Sequence, residues 1–403
     1  MKTKSHVISM EGVPACFSRI GDDECAGCAS CANACPQSAI VMKLNQEGFY
    51  RPVLQEGRCN DCMACLRYCP VIEAMERPRI RNEVSEIYAA WSTDEEIHLA
   101  SSSGGVFSEV ARNVLSNSGA VCGCEWGDNW TPRHIMVRNW DNLARLRGSK
   151  YIPSYIDERF HRGIIDLAKA GTTILFCGTP CQVAGLDLIA PTEARKNLLL
   201  MDLVCHGVPS LKSFWSYLDW KFGGRNQLGS FSFRNKEISS QTICGITRAG
   251  DKYLIECGKD TWFRSAMVYH LFLQKSCFGC RFGSIPRSGD ITVGDFWGIP
   301  EDWHDQRGDS VVFANTRKGK DVIGQLIRAR HVIAKESEYA TASKNVGRLR
   351  GTIYPRPIFR KLALAMIENG DYNNYYKFCY LPLSFAHRVI AAAKRRGLIR
   401  SDQ

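Results

Sequence analysis

The chain carries Cys25–Ala26–Gly27–Cys28–Ala29–Ser30–Cys31–Ala32–Asn33–Ala34–Cys35–Pro36, and the same spacing returns as Cys59–Asn60–Asp61–Cys62–Met63–Ala64–Cys65–Leu66–Arg67–Tyr68–Cys69–Pro70. Both stretches read C-x2-C-x2-C-x3-C-P, the run that ligates two iron–sulfur clusters with the fourth cysteine of each run crossing to the other cluster. That pattern assigns Cys25, Cys28, Cys31 and Cys69 to one [4Fe–4S] cluster. Cys59, Cys62, Cys65 and Cys35 take the second. Structural zinc favours separated C-x2-C pairs over four cysteines in one tight run. A duplicated run of this kind predicts a module that moves single electrons.

Outward from this module, the bulk numbers set the frame. A chain of 403 residues is long enough for two or three domains. Nineteen cysteines would suggest disulfides in a secreted protein. Residues 1–12 show no apolar signal region, so thiolate–metal bonding in a reducing, cytoplasmic setting is the expectation. No run of about twenty apolar residues predicts a membrane span. The formal charge of +11 counts every cysteine as neutral. A [4Fe–4S] core with four thiolates carries about −2, so two clusters lower the charge to about +7 and a third to about +5. The apparent basicity is therefore weak evidence for a nucleic-acid partner, and the corrected charge argues against one.

The pattern along the chain predicts an α+β ferredoxin-like domain over 1–80, with a hairpin in Ala39–Val53 turning at Gln46–Gly48. A charged linker containing Pro78 follows at Arg77–Arg81. Strands and helices then alternate through 81–335, predicting an α/β domain with a mixed, largely parallel sheet. Expected strands are Glu86–Trp91, Gly119–Trp126, His134–Arg138, Thr172–Cys177, Leu198–Cys205, Ile291–Val293 and Val311–Ala314, with a hairpin in Gly245–Glu256. Expected helices are Gly104–Leu115, Phe160–Lys169 and Leu211–Lys221, the last capped by Ser210. Residues 336–403 read as a helical, basic tail. Its stretch Leu381–Arg400 holds Lys394, Arg395 and Arg396, a solvated face or a contact for a membrane surface or a protein.

Four further cysteines fall at suggestive places. Cys181 follows one apolar strand in Thr179–Pro180–Cys181–Gln182, Cys205 ends another before His206–Gly207, and Cys277 and Cys280 form a C-x2-C loop. Ligands gather beyond the carboxyl ends of strands in open α/β sheets. These cysteines therefore read either as ligands to a third cluster or as ordinary buried cysteines. Cys16, Cys122, Cys124, Cys177, Cys244, Cys257 and Cys379 read as packing residues or local thiols. Ser103–Gly104–Gly105 opens a helix, where backbone N–H groups bind phosphate, or is a plain helix start. Lys150 lies in a second cationic loop, Arg147–Gly148–Ser149–Lys150–Tyr151, and by itself reads as a surface lysine.

The ordered set of blocks resembles the family of coenzyme F420 hydrogenase/dehydrogenase beta subunits, in the form with an N-terminal two-cluster ferredoxin. It consists of Trp91–Glu96 leading to Ser103–Gly104–Gly105, Gly148–Tyr151, Thr179–Gln182, Cys205–Pro209, Cys277-x-x-Cys280 and Asp290–Gly298. The resemblance implies FAD and a cluster held by Cys181, Cys205, Cys277 and Cys280. It places Ser103, Gly104, Gly105 and Lys150 near the flavin and substrate. It does not by itself imply that this chain uses the deazaflavin coenzyme.

These readings combine into one expectation. Ferredoxin or a similar one-electron carrier loads the N-terminal clusters, and a third cluster relays electrons to FAD. An organic small molecule accepts them, or the flow reverses. Candidate proton donors are Lys150, Tyr151 and His206, although a histidine beside a cluster cysteine often only hydrogen-bonds a sulfur. The rival expectation is an electron-transfer subunit with no substrate of its own, serving a hydrogenase or dehydrogenase. A nucleic-acid protein with structural clusters is the third.

Overall fold

The computed structural model describes residues 12–77, 85–368 and 370–395. The linker expected at Arg77–Arg81 and the tail beyond residue 395 therefore lie largely outside the described residues. Thirteen strands follow in order among the described residues: β1 (Ile40–Leu44), β2 (Tyr50–Leu54), β3 (Glu86–Ser92), β4 (Ala120–Trp126), β5 (Pro132–Val137), β6 (Ile174–Gly178), β7 (Leu198–Leu203), β8 (Leu228–Asn235), β9 (Thr242–Thr247), β10 (Lys252–Glu256), β11 (Ile291–Asp295), β12 (Ser310–Ala314) and β13 (Val332–Ser337).

Eight of them form one mixed sheet in the order β13-β3-β12-β11-β7-β6-β4-β5. The central run β11-β7-β6-β4 is parallel, and the strands on both flanks pair antiparallel. By these pairings β3, β4, β6, β7 and β11 run one way and β5, β12 and β13 the other. The apolar runs in β6 and β7 follow from burial on both faces. Ile174, Phe176, Leu198 and Leu200 point into one core. Leu175, Leu199 and Met201 point into the other. The second core is closed by helix Val106–Ser116 through Val106, Val110 and Val114, and by Ile323 and Leu326 of helix Arg317–Arg328.

The cysteine-rich unit seals the first face. Its short helices Ser30–Ala34 and Pro70–Glu76 flank the antiparallel hairpin β1–β2, whose ladder runs from Ile40↔Leu54 to Leu44↔Tyr50. Ala29, Ala32, Ile40, Val71 and Ile72 share one continuous core with Phe176 and Leu200. Helix Ser30–Ala34 comes so near helix Pro180–Ile189 that a Cβ on Gly185 would lie 3.0 Å from the Ser30 side chain. Ser30 Oγ donates to the Gly185 carbonyl at 3.2 Å and to the Tyr68 carbonyl at 2.7 Å. Gln274 ties the junction further, donating to the Cys25 carbonyl and accepting from Arg51, each at 3.2 Å.

A separate antiparallel sheet, β10-β9-β8, covers helix Leu211–Phe222 with a cluster of aromatic rings. Phe214, Phe231, Phe233 and Trp262 lie within 4.9–5.5 Å of one another, centroid to centroid, in their closest pairings. Each such ring, fully buried, contributes roughly 1.5–3 kcal/mol. The boundary expected at 335 falls inside β13, which pairs with β3 through Ser337. Ala342 and Leu349 continue the same core, so the sheet domain runs to about residue 350. Beyond it, helices Arg360–Glu368 and Tyr372–Tyr375 pack on helix Leu211–Phe222, with Tyr372 stacked near Trp220 at 5.1 Å.

Candidate redox site

Among the described residues, cysteines line three pockets, two of which lie beside one larger cleft and the outermost apart from it. Cys35, Cys59, Cys62 and Cys65 line the outermost pocket. Cys25, Cys28, Cys31 and Cys69 line the next. These are the two crossed sets expected from the spacing, with the fourth cysteine of each run exchanged. The two pockets differ in depth. Cys25, Cys28, Cys31 and Cys69 are buried, whereas Cys59 and Cys62 are exposed.

Cys181, Cys205, Cys277 and Cys280 line a third pocket beneath helix Pro180–Ile189. Local chemistry fixes each. Thr179 caps the helix with Gln182 in a reciprocal capping box, and Pro180 occupies its first turn. This sets Cys181 at the helix start, with its sulfur 3.2 Å from Thr179 Oγ1. Cys205 follows the end of β7. Two residues on, Gly207 has φ +148°, and a Cβ there would meet Leu273 at 3.1 Å and Cys277 at 3.4 Å. That close approach brings the Cys205 loop onto the Cys277 loop. Backbone N–H groups of Val208 and Phe282 point at the sulfurs of Cys277 and Cys280, each at 3.4 Å.

The loop carrying Cys277 and Cys280 is anchored by a buried ion pair. Asp202 in β7 accepts from Arg287 Nη2 at 3.0 Å, from the backbone of Ser288 and Gly289 at 2.9 and 2.8 Å, and from Thr292 Oγ1 at 2.6 Å. Arg287 also donates to the carbonyls of Gly283 and Leu203. One carboxylate thus holds the register between two cysteine-bearing loops.

Burial pushes the thiols of Cys25 and Cys205 up to about 11 and those of Cys69 and Cys181 up to about 12. Such sites hold neutral thiols when empty, and cationic iron must displace the protons. Cys16, read from sequence as a packing residue, sits beside ligands of both N-terminal sets. Its hydrogen bond lowers Cys65 to about 6, while contact with Cys31 and Cys65 raises Cys16 itself. Among the described residues no three Cys, His, Asp or Glu side chains converge on the point of a single metal ion.

The cleft lies at the carboxyl ends of β6, β7 and β11, against Gly123 and Cys124 of β4, and has a volume of about 270 Å³. Cys181 lines both the cleft and the third pocket. Ala26 and Gly27 line both the cleft and the inner N-terminal pocket. The rim is the Ser101–Ser103 loop and Gly105, which opens helix Val106–Ser116 with φ +87°. Arg147 lines the same wall. Its guanidinium lies 4.8 Å over the Trp140 ring, and its Nη2 atom is buried with no partner.

The expected site residues separate here. Ser103, Gly105, Lys150 and Tyr151 line the cleft. Gly104 does not; it packs on the sheet, where a Cβ would lie 2.3 Å from the Ala90 carbonyl. Its glycine identity answers to strand packing, a correction to its placement at phosphate. Lys150 is no surface lysine: its ammonium donates to the carbonyls of Cys124 and Arg147 at 2.8 Å and Arg145 at 3.3 Å. Burial lowers its pKa. All three donors are engaged, so its role here is to shape the loop. Tyr151 OH accepts from Arg234 Nη1 at 3.0 Å. His206 lines the third cysteine pocket and meets His270 at 2.9 Å, nitrogen to nitrogen, away from the cleft.

Sequence reading missed β8 and the two cations it delivers. Arg234 pairs with Asp295 through two bonds of 2.8 and 3.0 Å and donates to the Ser102 carbonyl at 3.2 Å. Lys236 donates to the carbonyls of His98 and Ser103, each at 2.6 Å. Both hold the serine loop from behind. The sequence reading passed over the short alternation Ser230–Phe231–Ser232–Phe233–Arg234 that marks this strand.

Fold and site together define a protein of the iron–sulfur class, with an α/β domain behind a two-run cysteine module. The chain belongs to the family of coenzyme F420 hydrogenase/dehydrogenase beta subunits: the N-terminal part of that subunit matches residues 87–158 and the C-terminal part residues 171–339. A 4Fe-4S dicluster domain matches residues 24–72. A subunit of the F(420)H(2) dehydrogenase of Methanosarcina mazei is 25% identical over 195 residues, 46% of this chain and 54% of that protein. Coenzyme F420-dependent sulfite reductase of Methanocaldococcus jannaschii is 25% identical over 366 residues, 87% of this chain and 52% of that protein. The chain thus spans about half the length of these two relatives. Among solved structures, a chain of the F420-reducing [NiFe] hydrogenase complex from Methanosarcina barkeri aligns at a TM-score of 0.46 and 18% identity, covering 72% of this chain and 90% of that one. No helix among the described residues is long and apolar enough to cross a membrane.

Proposed function

We propose that this chain is an iron–sulfur flavoprotein oxidoreductase with three [4Fe–4S] clusters and FAD in the cleft. One observation carries the reading: the inner N-terminal pocket and the third pocket each share lining residues with the cleft, and Cys16 beside the inner set also contacts Cys65 of the outer one. Ligands would be Cys59, Cys62, Cys65 and Cys35 outermost, then Cys25, Cys28, Cys31 and Cys69, then Cys181, Cys205, Cys277 and Cys280. The exposed Cys59–Cys62 edge is the face open to a ferredoxin-type carrier.

The cleft fits a dinucleotide flavin by its donors. Arg147 has an unspent buried N–H, and the start of helix Val106–Ser116 directs backbone N–H groups at an anion. Gly105 supplies the φ of +87° with which the chain turns into this helix at the cleft rim. Bound there, FAD would supply the step between one-electron and two-electron chemistry. Arg234 and Lys236 fix the serine loop by its carbonyls, and Lys150 closes its neighbour. Tyr151 is the cleft residue best placed to hold a proton near the bound groups. Burial raises its pKa, so it stays protonated at neutral pH.

An organic acceptor completes the reading, and the relatives' names make coenzyme F420 the first to try. A second reading draws on the Methanosarcina mazei relative, which is one subunit of a dehydrogenase: this chain would feed a partner and reduce nothing alone. Anaerobic preparation with iron, sulfide and flavin analysis, followed by turnover with reduced ferredoxin and a panel of acceptors, separates them. Bound FAD with acceptor turnover supports the first reading. FAD that is reduced while every acceptor fails without a second protein supports the second. Absence of FAD after anaerobic loading removes the flavoprotein assignment.

A further inference from the structure

The last described helix leaves one face uncovered. It runs over Leu381–Arg395, continuing the helical turn Tyr376–Tyr380. Its inner side is occupied: Cys379, Tyr380 and Ser384 are buried, and the Tyr380 ring packs 6.1 Å from Tyr269. The outer side carries Phe378, Leu381, Phe385 and Val389, exposed by 69, 40, 65 and 51%. These positions recur every three or four residues, so they form a single stripe along the helix. Two exposed phenylalanines on one stripe are not the scattered apolar residues that any surface shows.

Charge says what covers the stripe. Between Asp371 and Asp402 the sequence holds Lys377, Arg388, Lys394, Arg395, Arg396 and Arg400 and no acidic residue. Lys377 and Arg388, both exposed, sit one residue before and three after the two phenylalanines. A protein partner that covered the stripe would have to match the exposed Lys377 and Arg388 beside it and a sequence that carries four more cations and no acid. An anionic bilayer surface matches both properties at once: its headgroups take the cations and its acyl boundary takes the apolar stripe.

We propose that the helix Leu381–Arg395 docks in the plane of an anionic membrane surface, with Phe378 and Phe385 as its apolar anchors. The helix lies at the interface without spanning it, and the site is distinct from the cysteine pockets and the cleft. The proposal stands whether or not the cleft holds FAD.

Co-sedimentation of the full-length protein with phosphatidylglycerol vesicles and with phosphatidylcholine vesicles tests it. Binding to the first, at least tenfold weaker binding to the second, and loosening at high salt are expected. Phe378→Glu combined with Phe385→Glu should weaken binding to phosphatidylglycerol at least tenfold. Arg388→Glu should weaken it less. Circular dichroism and elution volume matching the wild type keep misfolding from imitating the effect. The proposal is overturned if neither vesicle binds, if both bind equally, or if the double variant binds as the wild type does. It is also overturned if the wild type is a dimer that the double variant makes monomeric, since a second copy then covers the stripe.

Discussion

The outer and inner N-terminal cysteine sets come from one repeated motif, yet they sit in opposite surroundings. Cys59 and Cys62 are exposed, while Cys25, Cys28, Cys31 and Cys69 are buried, and the short helix Ser30–Ala34 that carries Cys31 packs on helix Pro180–Ile189. The repeat sets ligand geometry and says nothing about depth. Depth comes from docking: the first run lies against the α/β domain, and most of the second faces solvent. That asymmetry gives an otherwise symmetric module a direction, with one set able to meet a carrier and the other facing inward.

The largest expected effect lies at the inner end. Changing Cys277 and Cys280 to Ser should remove about four of about twelve irons and stop reduction of any cleft occupant, while the N-terminal signals persist in electron paramagnetic resonance. Retention of all the iron would show that these cysteines bind no cluster. At the outer end, Cys59→Ser should spare the cleft's own contents but sharply slow electron delivery from ferredoxin. Delivery at the wild-type rate would move the entry port elsewhere.

Asp202→Ala should cost about 3–5 kcal/mol in stability, because it leaves Arg287 charged, buried and unpaired. Denaturant unfolding measures this, and a loss below about 1 kcal/mol would mean that Asp202 does not anchor the cysteine loop. Gly105→Val forces a side chain into φ +87° against Ile97 and Ser92 at 3.2 and 3.3 Å, and should release flavin. Arg147→Ala is milder. Loss of one charge-assisted contact, about 1.5–3 kcal/mol, predicts roughly 10- to 150-fold weaker flavin binding by titration.

The smallest effect is on pH. Cys205 and Cys181 have thiols raised to about 11 and 12. In the cluster-free protein that shift favours the fold below pH 9, and the contribution is lost as pH rises through 11 and 12. The loaded protein has the opposite dependence, because protons compete with iron and cluster loss accelerates in acid. Thermal melting of both forms across pH distinguishes the two signs.

Much of this was legible because the cysteines stand out by their spacing. Two contiguous runs needed no fold to be paired, and their crossed partners line the expected pockets. The third set was harder, since Cys181, Cys205 and Cys277–Cys280 become neighbours only after β6, β7 and the Arg287 anchor are in place. Apolar runs located β6 and β7 well. β8 escaped because its alternation spans only Ser230–Arg234, and its register against β9 shifts twice. With it went Arg234, whose chief partner Asp295 is 61 residues away in the chain, and Lys236, whose partners are backbone carbonyls that no sequence pattern records. Gly104 and Gly105 look alike in sequence. Only the neighbouring Ala90 carbonyl separates a glycine needed for packing from one open to the cleft.

Ala26, Gly27 and Tyr50 of the cysteine module form part of the cleft wall that the α/β domain would otherwise leave open. A molecule filling the cleft therefore touches two parts of the chain at once, and its binding energy adds to their adhesion. Ligand at a hundredfold excess over its dissociation constant adds about 2.7 kcal/mol to whatever state binds it. Here that state is the docked one. Calorimetry of the filled protein should give a single, concentration-dependent melting transition, and the emptied protein should lose its N-terminal module at a lower temperature than its sheet.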